Sequence, residues 1–243
     1  MVLAAGRGER MRPLTDSCPK PLLEVQGRPL LQWHLSALAR AGVTDAIVNT
    51  AWLGEQIPAR FGACWTEGDP ARALRLGYSM EGRDFGAALE TAGGIARALP
   101  LLDAVFWVMA GDVFVPDFEF DPVALQRFER GDALAHLWLV PNPAHNARGD
   151  FGLSPEGLAL NLASDAPGPR HTYSTIGLYR RELFAAPLLD IAAGNPEGQA
   201  AALGPLLRRA MDLGRVSAQL YHGRWTDVGT PERLAFLNQT VTP

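Results

Sequence analysis

With 243 residues and a net charge of −4, the chain suits one large α/β domain and has no general attraction for nucleic acid or an anionic membrane. Hydrophobic residues make up 47% and charged ones 20%, so a core can form without staples; Cys18 and Cys64 lack metal or redox spacing, which points to a reducing, cytoplasmic setting. No run of about 18 apolar residues is available to cross a bilayer, and the apolar start from Met1 to Gly6 lacks the basic flank of a signal peptide.

Val2 to Ala5 reads as a buried first strand. Leu30, Leu31, His34, Leu35 and Leu38 recur at helical spacing, and Gly42 stands where that helix ends. Ala46 to Thr50, Leu74 to Ser79 and Val105 to Ala110 read as further strands, with a helical pattern at Ile95, Leu99 and Leu102 before the last of them. Such alternation predicts a Rossmann-like, mainly parallel sheet flanked by helices, with ligands beyond the carboxyl ends of the strands. The second half is less regular. Leu134 to Val140, Thr172 to Tyr179 and Val216 to Tyr221 read as strands and Leu203 to Leu213 as a helix, while 141–168 is rich in Gly, Pro, Asn and Asp. We expect a single domain over 1–243, with a nucleotide-binding half to about residue 115 and a sugar-binding half beyond it.

The first strand runs into Ala5-Gly6-Arg7-Gly8-Glu9-Arg10-Met11-Arg12-Pro13. Gly6 and Gly8 let backbone N–H groups approach a phosphate closely. The dinucleotide fingerprint fails because its third glycine would fall on Met11, and the phosphate-loop motif fails because no Gly-Lys-Ser/Thr follows. Instead Arg7, Arg10, Arg12 and Lys20 supply cations suited to a triphosphate. The other reading is a strand-to-helix turn with solvated arginines. Asp112 closes the apolar run that begins at Val105, and Asp227 lies in Trp225-Thr226-Asp227-Val228-Gly229-Thr230-Pro231; a carboxylate in such a place is a turn residue or cap as readily as a metal ligand.

Leu3 through Thr15 followed by Pro19-Lys20-Pro21-Leu22 resembles the signature of the sugar-1-phosphate nucleotidyltransferases at every fixed position. The resemblance implies the nucleotide-diphospho-sugar transferase fold. It implies that Ala5, Gly6, Gly8, Glu9 and Arg10 enclose the nucleotide phosphates, that Lys20 touches them, and that Asp112 and Asp227 hold a catalytic Mg²⁺. Arg10, Lys20, Asp112 and Asp227 are thus the catalytic candidates. By the same resemblance, Glu81 and Gly93 read the nucleobase, and Asp150 and Gly152 contact the acceptor sugar. Glu81 can also be a solvated loop residue, and Asp150-Phe151-Gly152 a tight turn. No Glu-Lys-Pro follows to bind the sugar phosphate; Arg170 is the nearest cation of promise.

Asn49 through Ile57, with Leu89-Glu90-Thr91-Ala92-Gly93-Gly94-Ile95, resembles a short bacterial branch of the family. That branch implies UTP as donor, N-acetylmuramate 1-phosphate as acceptor, pyrophosphate as by-product and a role in cell-wall recycling. Transfer of a guanylyl group to mannose 1-phosphate, or a non-catalytic nucleotide-sugar-binding subunit, are the alternatives. The partners expected are these small molecules, with no nucleic acid and no membrane, in a monomer or small homo-oligomer.

Overall fold

A computed structural model of the chain describes residues 1–163 and 165–239. In chain order the first elements are β1 (Val2–Ala4), β2 (Glu24–Val25), β3 (Arg28–Pro29), α1 (Leu30–Arg40), β4 (Asp45–Thr50) and α2 (Gln56–Phe61). There follow β5 (Cys64–Trp65), β6 (Leu74–Met80), α3 (Glu81–Phe85), α4 (Glu90–Ala98), β7 (Val105–Ala110), β8 (Val113–Phe114) and α5 (Pro122–Arg130). The remainder is β9 (Ala135–Val140), β10 (Phe151–Leu153), β11 (Ala159–Leu160), β12 (Arg170–Arg180), α6 (Leu203–Asp212), β13 (Val216–Leu220), β14 (Thr226–Asp227) and α7 (Pro231–Gln239). Among the described residues no helix is long and apolar enough to cross a membrane.

These elements sort into two compact units that differ from the two halves expected about residue 115. The first takes 1–88, 110–121 and the chain from Gly223 on; the second takes 89–109 and 122–222. In the first unit, β1 and β4 pair in parallel, as do β4 and β6, and β5 closes the edge antiparallel to β6. The parallel pairing of β1 and β4 follows from the return through α1, a crossover that a tight hairpin cannot supply. Helix α1 buries Leu30, Leu31, His34, Leu35 and Leu38, the residues at helical spacing, and Gly42 follows it at φ 79°, a conformation that favours glycine. Each leucine so buried contributes about 1.5–3 kcal/mol of transfer free energy. Met11, Val25, Leu30, Phe114, Val228, Leu234 and Leu237 share one core cluster, which ties α7 and the short β8–β14 ladder to the base of the glycine-rich loop.

The second unit is built on β12, which pairs antiparallel with β7 on one side and β9 on the other; β13 lies parallel to β9. The α/β class stands, with parallel pairing through β1, β4 and β6 and antiparallel pairing around β12. The expected strand at Thr172 to Tyr179 extends at both ends and carries an irregularity between Tyr173 and Gly177, with Thr175 at φ 69°. Strands β10 and β11 lie inside the stretch that reads as loop, since two short strands broken by glycine leave no period to detect.

Two histidines bear on stability. Burial pushes His34 and His136 each down from an ordinary 6.5 to about 4, so both are neutral in the folded chain near neutral pH. Between about pH 6.5 and 4 the unfolded chain then binds more protons than the folded one, so their contribution is lost as pH falls through that window. Thermal melts across this range are expected to show a falling Tm, with the fall reduced in His34→Gln; an unreduced fall would remove His34 from the account.

Candidate active site

The glycine-rich loop leaves β1 at Ala5 and reaches a single turn of 3₁₀ helix at Glu9–Met11. Gly6 is exposed, and a Cβ placed on it would meet nothing within 4 Å, so packing against the protein does not explain a glycine there. Bare backbone facing open space is what close approach by a phosphate requires. Gly8 is different. It sits at φ 66° ahead of the turn, and a Cβ would meet the Thr15 methyl at 3.1 Å and Lys20 Cβ at 3.3 Å.

The loop's cations divide into separate jobs. Arg12 pairs with Asp16 at 2.8 Å, and Arg7 donates to the Thr15 carbonyl at 3.0 Å and also reaches Asp16. Arg10 is exposed, and among the described residues it has no ion pair or hydrogen bond to another group of the chain. Lys20 is held inside: its side chain is 9% exposed, and its Nζ lies 2.6 Å from Oδ2 of Asp112, whose side chain is 40% exposed. The pair therefore opens to solvent on the aspartate side.

Asp112 owes its place to Gly111, which donates its N–H to the Leu3 carbonyl at 2.7 Å; a Cβ on Gly111 would stand 3.0 Å from that oxygen. The Asp112 carbonyl accepts from the Val228 N–H at 2.9 Å, and Asp227 pairs across the β8–β14 ladder with Val113. The two aspartates, far apart in sequence, thus stand at one end of one small ladder. Asp227 is itself gripped by Arg233, which bonds its Oδ2 and, at 3.2 Å, its carbonyl. Gly229 leaves room for that grip, since a Cβ there would stand 2.8 Å from the carboxylate. Beneath them His34 of α1, buried, is hydrogen-bonded to the Val113 backbone.

Glu81 follows β6 and is fully buried, so it is not a solvated loop residue. Its Oε1 accepts from Asn49 Nδ2 at 2.7 Å, and Asn49 Oδ1 accepts from the Ala4 N–H at 2.9 Å. One buried amide thereby ties together the carboxyl ends of β1, β4 and β6. Sequence reasoning gave Asn49 only a place in a motif, and it missed Arg233; neither partnership leaves a trace in spacing.

Gly93, Asp150 and Gly152 belong to the second unit. Gly93 lies near the start of α4, where its N–H donates to the Ala201 carbonyl at 3.1 Å and a Cβ would stand 2.5 Å from the Gln199 carbonyl. Asn195, buried at φ 41°, fastens that approach by donating to the carbonyls of Gly93 and Gln199. Asp150 accepts from the Tyr173 N–H at 2.8 Å and from Asn146 at 3.3 Å, while Gly152 fits against Leu160 and Leu162. Each therefore has a packing role within its own unit. Arg170 is committed to the carbonyls of Leu162 and Ala163.

A loop with bare backbone and one uncommitted arginine, a lysine–carboxylate pair open to solvent on one side, and a second carboxylate on the short strand paired with the segment after the first, suit the transfer of a nucleotidyl group from a polyphosphate. That is the class to which fold and site point. The nucleotidyl transferase family model matches residues 1–242. An N-acetylmuramate alpha-1-phosphate uridylyltransferase of Neisseria meningitidis is 45% identical over 96% of this chain and 94% of its own length. One of the same name from Caulobacter vibrioides is 31% identical over 96% and 92%. A solved Bacillus anthracis structure, described as a glucose-1-phosphate thymidylyltransferase, superposes with a TM-score of 0.75 at 18% identity, covering all of this chain and 95% of that one. The chain belongs to the nucleotidyl transferase family and is an enzyme of that kind.

Proposed function

We propose that the protein transfers a uridylyl group from UTP to N-acetylmuramate 1-phosphate, releasing pyrophosphate, as a cytoplasmic enzyme of cell-wall recycling. The observation that carries the chemistry is the Lys20–Asp112 pair, open to solvent on the aspartate side and packed against Gly8 of a loop whose Gly6 backbone and Arg10 side chain are exposed. The near full-length likeness to two uridylyltransferases of that name supports the choice of donor and acceptor.

The acceptor's phosphate is already ionised at neutral pH, so its oxygen attacks the α-phosphorus of the triphosphate without a general base. The difficulty is repulsion between two anions. Arg10 and Lys20 lower it by meeting the triphosphate's negative charge, Arg10 in bidentate fashion and Lys20 as a point charge. Asp112 and Asp227 fit a Mg²⁺ ion, which takes one or two carboxylates together with phosphate oxygens. When bound there, the ion would supply further neutralisation of the phosphates. Glu81 is fully buried and accepts from Asn49, so it braces the strand ends at the nucleotide site rather than meeting the base edge itself.

The protein incubated with Mg²⁺, each NTP and a panel of sugar 1-phosphates is expected to release pyrophosphate with UTP and N-acetylmuramate 1-phosphate. Turnover confined to GTP and mannose 1-phosphate would replace this reading, and nucleotide-sugar binding without turnover would make the chain a regulatory subunit. Arg10→Ala is expected to cut kcat/KM by about 10²-fold, the scale of one lost charge-stabilising contact, with Tm unchanged because Arg10 is exposed. A loss under threefold would remove Arg10 from the phosphate site.

A further inference from the structure

We propose that Trp52 is a positioning residue for the nucleotide loop, setting the affinity for the triphosphate without touching it; the proposal rests on the nucleotide-binding reading given above. The turn between β4 and α2 is tight. Leu53 sits at φ 48°, a region non-glycine residues rarely enter, and a Cβ on Gly54 would stand 2.7 Å from Thr50 Oγ1. That turn delivers the half-buried Trp52 indole to the glycine-rich loop, where three contacts converge.

Trp52 Nε1 donates to the Thr15 carbonyl at 2.9 Å. Arg7 donates to the same carbonyl at 3.0 Å, and its guanidinium carbon lies 3.6 Å from the centre of the Trp52 ring. Thr15 is fully buried, and it passes the restraint inward: its hydroxyl donates to the Gly8 carbonyl at 2.8 Å. A little further on, Gln56 Nε2 donates to the Ser17 carbonyl at 3.0 Å.

The loop needs such an outside hold. Between Ala5 and Lys20 it has two short 3₁₀ turns and no strand pairing, so side-chain ties fix the backbone that a phosphate would approach. A backbone ordered before the ligand arrives spares the binding step that entropy. Arg7 therefore acts as the clasp under the indole, leaving Arg10 to meet the anion.

Calorimetric titration of UTP, with Mg²⁺ present, into wild type, Trp52→Ala, Trp52→Phe and Arg7→Ala tests this, alongside KM for each substrate and thermal melts. Trp52→Ala is expected to weaken UTP binding about tenfold, the scale of one desolvated cation–π contact with a hydrogen bond, and to leave KM for the sugar phosphate unchanged. Trp52→Phe keeps the ring and is expected to recover part of the loss; Arg7→Ala is expected to match Trp52→Ala. UTP affinity within twofold of wild type in a folded Trp52→Ala would overturn the proposal, as would equal losses for both substrates that follow Tm. If Trp52→Ala fails to fold, unchanged affinity in both Trp52→Phe and Arg7→Ala overturns it. Wild type that binds neither UTP nor any other NTP would instead overturn the nucleotide-site reading itself.

Discussion

Asp112→Asn is expected to slow pyrophosphate release by about 10²–10³-fold at saturating UTP and Mg²⁺, with Tm close to that of wild type. The substitution isolates charge. Asparagine has the same shape, and its carbonyl oxygen can still accept from Lys20 Nζ, which sits 2.6 Å from the native carboxylate. The backbone contacts that place the residue, Gly111 N–H to Leu3 and Val228 N–H to Asp112, do not involve the side chain. The Asp112 side chain is also 40% exposed, so the pair borders water on that side, which moderates the cost of losing the counter-charge to the buried Lys20. What disappears is the negative charge a metal would need and the counter-charge that holds the ammonium in place. Loss of turnover with unchanged melting, not rescued by raising Mg²⁺, is the expected pattern. Turnover within fivefold of wild type would take Asp112 out of the metal and phosphate chemistry, and Asp227 alone would not sustain the mechanism given above.

Part of the candidate site was legible in the sequence because its residues form short local patterns. Gly6 and Gly8 after a strand, Lys20 between prolines and an aspartate closing an apolar run are short-range signals, and the structure gives each a local reason. Helix α1 was legible because five buried side chains recur at one period. What stayed hidden depends on where distant side chains come to rest. Arg7 and Arg12 look the same as Arg10 in sequence, yet Asp16 and Trp52 engage the first two and leave the third exposed. Asn49 and Glu81 lie 32 positions apart and meet only because β4 and β6 pair in parallel, which places Asn49 beside Ser79. Gly93 is a similar case. Its glycine reads as an opening for a base, while its nearest neighbour is the chain's own Gln199 carbonyl, which no spacing rule anticipates. Strand β10 was hidden for the opposite reason: three residues with a central glycine carry too little pattern.

Gly82→Ala is expected to destabilise the chain by about 1–3 kcal/mol and to weaken UTP binding more than its stability loss alone implies. A Cβ at this position would stand 2.4 Å from the Ala51 carbonyl oxygen, 2.7 Å from its Cα and 2.8 Å from its carbonyl carbon. All three atoms are backbone, so no side-chain rotation relieves the clash and one chain segment must move away from the other. The cost does not come from dihedral strain, because Gly82 is helical and lacks a positive φ. Both segments that would part belong to the proposed nucleotide site. Moving 51–54 shifts Trp52 off Arg7 and Thr15, and moving the start of α3 draws Glu81 away from Asn49. A methyl group at this position would thus disturb both the glycine-rich loop and the buried Glu81–Asn49 bond. Chemical denaturation compared with UTP titration separates the two effects. A variant that melts early but binds UTP as wild type does would show that the 51–54 turn packs without positioning anything.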